Sequence, residues 1–190
     1  MVGALQYDGK RVIVTGAATG VGAAVAQILV ELGAEVHAID ATLPAVSGLA
    51  SFSECDMDDL AQIDTTIAKI GKIVNALFNC ADPLVDIGAL RHLTEAVVPL
   101  MIEGSAIASL ASSADGSGPA PLNAYTASRS TALARDGIRI NCVNLASTTD
   151  DRPSPLGRPV IAEDQAWPMV FLNSPRAAFV TGAQLDCARE

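Results

Sequence analysis

Residues 12–30 read "VIVTGAATGVGAAVAQILV" and give the strongest indication of how this chain folds. A β-branched run ends at Thr15, glycines follow at Gly16, Gly20 and Gly22, and an apolar helical run closes at Gly33. A phosphate group needs close approach to backbone at a helix amino terminus, and glycines allow that approach because they lack a Cβ. The pattern predicts a strand, a phosphate-binding turn and a helix, although a tight turn without a ligand has the same spacing.

The same stretch is uncharged and just long enough to cross a bilayer, so a membrane span is the competing interpretation. Three glycines and two threonines interrupt it, which a strand, a turn and a helix explain better. The net charge of −9 and the sequence pI near 4.6 would repel nucleic acid and anionic membrane surfaces. We therefore expect neither nucleic acid nor membrane as a partner.

The composition is that of one α/β domain. The 190 residues provide a single core, and 50% are hydrophobic while only 4% are aromatic, as in closely packed parallel strands and helices. The four cysteines are scattered without a CxxC pair, and no signal-peptide pattern precedes them. Reduced thiols in a cytoplasmic protein are the expectation.

Strand and helix patterns alternate along the chain, an order that implies a parallel sheet with crossover helices. Residues 1–190 are thus predicted to form a single Rossmann-like, doubly wound parallel sheet of six to seven strands, with helices on both faces. The predicted strands are 10–15, 35–40, 51–56, 73–79, 105–112, 137–144 and 182–187, and the first predicted helices are 21–33, 57–71 and 86–101. The proline-rich, polar stretch 147–159 begins a predicted substrate-side loop or lid region, 147–180.

Asp40 ends the second predicted strand, about 20 residues after the glycine loop. A carboxylate there can bind both ribose hydroxyls of a dinucleotide, and it repels a 2′-phosphate. An ordinary acidic residue at a strand end is the alternative. Taken together, the loop and the acid predict a site for NAD, with NADP less favoured.

Several motifs together resemble the short-chain dehydrogenase/reductase family, classical type, in a shortened and divergent form. They are "TGAATGVG" (15–22), which matches TGxxxGxG, "CDM" (55–57), "FNCAD" (78–82), "RHLTEAVVPLM" (91–101) and "FLNSPRAAFVTGAQL" (171–185). With "LGRP" (156–159), the last motif leans toward the hydroxysteroid-dehydrogenase-like subset. The resemblance implies cofactor binding by Thr15, Gly16, Gly20, Val21, Gly22, Asp40, Asp56, Met57, Asn79, Cys80, Ala81, Tyr125 and Arg129.

The same resemblance implies catalytic roles around "NAYTASRSTAL" (123–133). Tyr125 would be the acid/base, and Ser112, with Ser113 as the competing assignment, would orient the carbonyl. Arg129 stands where the family has Lys, so it keeps a charge expected to lower the tyrosine pKa but cannot relay a proton. Asp86 replaces the Asn of a proton relay, and it either accepts a proton from water or caps a helix.

Other departures concern assembly and the substrate side. The two helices through which the family commonly dimerises are shortened, so a homo-oligomer stays possible but is not predicted. Leu145 and Ala146 replace a Pro-Gly pair, and the nearby hydroxyls of Ser147, Thr148 and Thr149 can reach a carboxamide. His37 and His92 lack ligand spacing, so we expect no metal.

Two hypotheses follow. The first is an NAD(P)-dependent oxidoreductase that moves hydride between the cofactor and an apolar secondary alcohol or ketone, with a steroid-like molecule as one candidate. The second is a non-catalytic family member that binds NAD or a partner protein and acts as a sensor or scaffold.

Overall fold

Seven strands build one parallel sheet. The structure, a computed structural model, describes residues 5–71, 73–81, 87–111, 120–145 and 156–187. The strands are β1 Arg11–Thr15, β2 Glu35–Asp40, β3 Ser51–Glu54, β4 Val74–Asn79, β5 Met101–Ala111, β6 Arg139–Asn144 and β7 Gln184–Asp186. Their order is β3-β2-β1-β4-β5-β6-β7, and each neighbouring pair is parallel. The predicted doubly wound sheet is confirmed.

In the described part of the chain, five helices cover the two faces of this sheet. They are α1 Gly20–Glu31, α2 Leu60–Ile70, α3 Ile87–Val97, α4 Ala120–Ala134 and α5 Ala162–Asn173. The start of α2 is fixed by the Asp59 carboxylate, which accepts the backbone N–H groups of Ala61 and Gln62, and its end by left-handed Gly71. No helix in the described ranges is both long and apolar enough to cross a bilayer.

The core consists of two apolar layers, one on each face of the sheet. Because successive side chains of a strand point to opposite faces, Val12 and Val14 of β1 join one layer while Ile13 joins the other. The first layer contains α1 and α5, with Leu29 and Met169 fully buried. The second layer contains α2, α3 and α4. Both layers pack against the central strands β1 and β4, and the glycine loop follows β1.

Two predicted boundaries are wrong. The third helix was predicted over 86–101 and the fifth strand from 105, but α3 ends at Val97 and a 3-10 turn, Val98–Leu100, leads into β5 at Met101. Pro99 lies in this turn and lacks the N–H that a longer helix would use.

The other difference lies in the predicted loop region 147–180, where Ala162–Asn173 is α5. Its buried face, which includes Ala166 and Met169, packs with α1 in the first apolar layer. That segment therefore supports the core, and the part of the region that precedes α5 remains the candidate lid.

Candidate cofactor and active site

The glycine loop is packed directly against the end of β4. Gly16 has a φ of +65°, and a Cβ at this position would lie 2.4 Å from the carbonyl oxygen of Cys80. A Cβ on Gly22 would lie 1.9 Å from the carbonyl oxygen of Gly16. Both distances are far below van der Waals contact, so side chains at these positions would force the loop apart. Glycine is thus required by the geometry of the turn itself.

Buried hydrogen bonds hold the neighbouring strand ends in place. Thr15 Oγ1 accepts the backbone N–H groups of Cys80 at 3.2 Å and Ala81 at 3.3 Å, joining the carboxyl ends of β1 and β4. The Asn79 amide donates to Ser109 Oγ at 3.0 Å and thereby joins β4 to β5. The side chains of Thr15, Asn79 and Cys80 are all buried. Contact with a ligand from these three positions would therefore come from their backbone.

Asp40 lies against the glycine loop. Its Oδ2 accepts the backbone N–H of Ala18 at 2.9 Å, and its Oδ1 accepts the backbone N–H of Thr42 at 3.1 Å. The carboxylate therefore lies at the carboxyl end of β2, next to the turn that precedes α1. The Thr42 hydroxyl also donates to Oδ1 at 3.4 Å, and oxygen lone pairs beyond these three bonds remain available to a ligand's hydroxyl groups.

Asp56 and Met57 follow β3 and differ in exposure. Asp56 is exposed, and its carboxylate accepts the backbone N–H of Asp58 at 3.0 Å. Met57 is buried in the second apolar layer. Of the two predicted contacts, only Asp56 presents its side chain to solvent.

The residues around the loop fit a dinucleotide. The residue before α1, Thr19, is extended and its side chain makes no capping bond. The Thr19 hydroxyl therefore does not compete with an anion for the first N–H groups of the helix. A Cβ placed on Gly20 would meet no atom within 4 Å, which leaves open space at the helix start. Val21, the next residue, is half-buried. A pyrophosphate at this terminus and a ribose at Asp40 match the donors and acceptors present.

Tyr125 is held by a residue that the sequence did not single out. Its hydroxyl donates to Glu95 Oε1 at 3.0 Å, and Arg129 Nη2 donates to Glu95 Oε2 at 2.7 Å. Glu95 belongs to α3, whereas Tyr125 and Arg129 belong to α4. One carboxylate thus connects the two predicted catalytic residues.

This arrangement raises the pKa of Tyr125 to about 12. Burial is the main cause, the Glu95 carboxylate adds to it through its charge and its hydrogen bond, and Arg129 lowers the pKa by less. Arg129 thus lowers the pKa of Tyr125, as expected, but burial and the Glu95 carboxylate outweigh this effect.

The Tyr125 ring is buried, whereas the neighbouring Glu95 side chain is accessible to solvent. The Arg91 guanidinium lies 5.5 Å from the ring centroid, within range of a cation–π contact. Arg91 and Glu95 also line a groove of about 460 Å³ together with His92 and Asp58. Because the side chain of Glu95 is 47% exposed, the carboxylate that holds Tyr125 is accessible from outside.

Several predicted residues lie outside the described part of the chain. They are Asp86, Ser112, Ser113, Ala146, Ser147, Thr148 and Thr149. Their neighbours are described: the Leu145 backbone N–H donates to the Ala111 carbonyl at 2.8 Å, so β5 and β6 end side by side. The roles assigned to the residues that follow these strand ends stay predictions.

Both histidines have side-chain partners. His92 Nε2 lies 2.7 Å from Asp64 Oδ1 on α2, and His37 Nδ1 lies 2.7 Å from Ser51 Oγ on β3. Within the described ranges, no three His, Cys, Asp or Glu side chains are grouped so as to hold a metal ion.

Comparison with known proteins identifies relatives of this chain, although no family model matches it. Coniferyl-alcohol dehydrogenase from Pseudomonas sp. is 30% identical over 64% of this chain and 51% of its own length. D-threitol dehydrogenase from Mycolicibacterium smegmatis is 28% identical over 95% of this chain and 92% of its own. A dehydrogenase/reductase structure from Sinorhizobium meliloti superimposes with a TM-score of 0.85 at 22% identity, covering 100% of this chain and 99% of that one.

The parallel sheet and the glycine loop define a Rossmann-like nucleotide-binding protein, and its relatives are dehydrogenases by name. The chain resembles the short-chain dehydrogenase/reductase family, in agreement with the motifs in its sequence. Its alignment with D-threitol dehydrogenase extends over 240 positions, whereas the chain has only 190 residues. That relative therefore contains internal segments that this chain lacks, in agreement with the predicted shortening.

Proposed function

We propose that the protein is an oxidoreductase that prefers NAD and transfers hydride between this cofactor and an apolar secondary alcohol or ketone in the cytoplasm. The observation that carries the proposal is the Asp40 carboxylate, which lies against the glycine loop at the start of α1. A negative charge at this position favours ribose hydroxyls and disfavours the additional phosphate of NADP.

The geometry of this edge of the sheet supports the proposed cofactor binding. The first turn of α1 would receive the pyrophosphate, Asp40 the adenosine ribose, and exposed Asp56 the adenine side. When bound, the nicotinamide supplies or accepts the hydride. The remaining step, transfer of a proton to or from the substrate oxygen, falls to the protein, and we assign it to Tyr125 with Ser112 as the orienting hydroxyl.

The state of Tyr125 favours reduction over oxidation. With a pKa of about 12, the phenol stays protonated at neutral pH, which is the form that donates a proton to a developing alkoxide. Its single hydrogen is directed at Glu95 in this structure, so the hydroxyl must turn from Glu95 to the substrate before transfer. Alcohol oxidation needs the phenolate, and the Glu95 carboxylate opposes its formation.

The proposed substrate class is based on the relatives of this chain and on the predicted substrate-side region, 147–180. The relatives are named for coniferyl alcohol and for D-threitol, both alcohols, and neither name points to a steroid. We propose that the part of 147–180 that precedes α5 covers the substrate, since the chain after α5 lies at the opposite edge of the sheet. An apolar ketone remains the class that we favour.

A second function is favoured by one observation, the binding of both Tyr125 and Arg129 to Glu95. If that contact persists with cofactor present, the protein binds NAD without turnover and acts as a sensor or scaffold. The substitution Glu95→Gln separates the two functions because it removes the charge and keeps the shape.

The test is NADH-dependent reduction of a panel of apolar ketones by wild-type, Glu95→Gln, Arg129→Lys and Tyr125→Phe protein. The enzyme hypothesis predicts wild-type turnover and a loss of about 100-fold or more in Tyr125→Phe. It also predicts that Glu95→Gln accelerates alcohol oxidation with NAD. If NADH binds and none of the first three proteins turns over any ketone, the sensor or scaffold function is supported instead.

A further inference from the structure

A second cavity lies at the opposite edge of the sheet from the glycine loop. Its volume is about 470 Å³, and it is surrounded by the amino-terminal ends of β1, β4, β5 and β6 and by the chain that follows α5. The glycine loop follows the carboxyl end of β1. Because all strands are parallel, the cavity and the loop lie at opposite ends of the strands. The cavity lining includes charged and apolar side chains, namely Lys10, Ile102, Glu103, Ile138, Arg139 and Phe179.

Arg139 is a buried cation in the wall of this cavity. Its residue exposure is 8%, and its guanidinium donates to the carbonyl oxygens of Leu172 at 2.6 Å, Val180 at 3.2 Å and Ser174 at 3.0 Å. These bonds use three of its five N–H groups, and the other two have no acceptor among the described residues.

Among the described residues, no carboxylate comes within 4 Å of the Arg139 guanidinium to form an ion pair that would balance this charge. Burial lowers the pKa of the guanidinium, which shows that the surroundings disfavour the charged form. A buried charge is costly unless an opposite charge compensates it. An anion in the cavity would supply that compensation.

The remaining walls are suited to hydrocarbon. Ile138 is buried, Ile102 is 46% exposed, and the Phe179 ring is fully exposed although it borders the cavity. Exposed large apolar side chains around a concavity are typical of binding surfaces. The volume falls within the range of about 300–1,000 Å³ found for small-molecule sites. Lys10, which is exposed, adds a second cation to the lining.

We propose that this cavity binds an amphipathic monocarboxylate, with the carboxylate directed to Arg139 and Lys10 and the hydrocarbon chain lying along Ile102 and Phe179. Glu103 is the one acidic residue in the described lining, and it opposes such a ligand. The site is independent of the cofactor edge and does not require that the protein catalyse hydride transfer.

The test is calorimetric titration of the full chain with octanoate and with octanamide, which has the same chain but no charge. Octanoate is expected to bind in a 1:1 ratio and at least about tenfold more tightly than octanamide. Lys10→Glu is expected to weaken octanoate about tenfold, and Glu103→Gln to tighten it. Lys69→Glu, the same charge reversal on exposed α2, should change affinity less than about twofold. Arg139 is left intact because its removal would leave three carbonyls unpaired.

Equal affinity for octanoate and octanamide, or no binding of octanoate to folded protein, would contradict the charged site. An equal effect of Lys10→Glu and Lys69→Glu would show that only net charge matters. Saturating NADH should leave octanoate affinity unchanged, and displacement by NADH would place the carboxylate at the cofactor edge instead.

Discussion

The phenolic oxygen of Tyr125 lies 3.0 Å from Glu95 Oε1, across the boundary between α4 and α3. Arg129, which stands in the place of the family lysine, is bound to the other oxygen of the same carboxylate at 2.7 Å. Glu95 therefore opposes the effect of Arg129 on the pKa of Tyr125. The chemistry proposed for this site would therefore depend on an α3 residue that lies outside the Tyr-x-x-x-Arg motif.

Replacing Glu95 by Gln should lower the pKa of Tyr125 clearly below 12, because the nearby negative charge is removed while Arg129 remains. The measurement is a pH titration of the tyrosine Cζ NMR signals, of which the chain has only two because it contains two tyrosines. Tyr125→Phe assigns the signal, and the pKa of the other residue, buried Tyr7, is also raised. A Tyr125 midpoint that is the same in wild-type and Glu95→Gln protein would refute the coupling.

The raised pKa of Tyr125 also makes stability depend on pH. Because the folded phenol holds its proton more tightly than the unfolded one, its contribution is fully present below pH 10 and is lost as the pH rises through about 12. The free energy of unfolding of wild-type protein should fall by about 1.4 kcal/mol relative to Tyr125→Phe between pH 9 and 11. Urea unfolding of both proteins measures this difference. A difference that stays constant over this range would contradict the prediction.

The glycine loop should respond very differently to alanine at two positions. Gly22→Ala places a Cβ 1.9 Å from the Gly16 carbonyl oxygen, so we expect a stability loss of about 2 kcal/mol or more. Gly20→Ala meets no atom, although its φ of +55° costs about 1 kcal/mol. Its methyl group would occupy the open space assigned to phosphate, so NADH affinity should fall more than stability. Urea unfolding and NADH titration of both variants test the pair, and equal stability losses would argue against the packed loop.

The helix α5 should behave as core. Met169 is fully buried in the first apolar layer, so Met169→Ala is expected to destabilise the protein by about 2–5 kcal/mol. Trp167 lies on the same helix but is 46% exposed, and Trp167→Ala should cost about 1 kcal/mol or less. Thermal and urea unfolding of the two variants measure the contrast. Similar small losses would indicate that the segment is a detachable lid after all.

The fold was largely predictable from sequence because its signals are local. The strand, turn and helix of residues 12–30 are encoded by β-branched residues, glycines and an apolar period, and the spacing of Asp40 is set by one crossover. The helix α5 was missed because residues 162–173 carry Pro168 and a nearly continuous mixture of apolar and polar side chains. Tertiary burial against α1, rather than a clear amphipathic period, stabilises it.

The site was less predictable because its decisive contact joins distant parts of the chain. Tyr125 and Arg129 are recognisable by their own spacing, but nothing in the residues around Glu95 indicates that α3 would place its carboxylate between them. Arg139 is a similar case. Its immediate neighbours, Ile138 and Ile140, are apolar, and only the folded chain shows that the guanidinium meets carbonyl groups and a cavity.

The most direct test of the nucleotide site is fluorescence titration of the purified protein with NADH and NADPH, beside Asp40→Ala and Asp40→Asn. Asparagine retains an oxygen for the Ala18 N–H and removes the charge, so it separates loop geometry from electrostatics. We predict that wild-type protein binds NADH at least about tenfold more tightly than NADPH, and that both variants relax this preference. Failure of either nucleotide to bind folded wild-type protein, or a preference for NADPH, would contradict the assignment.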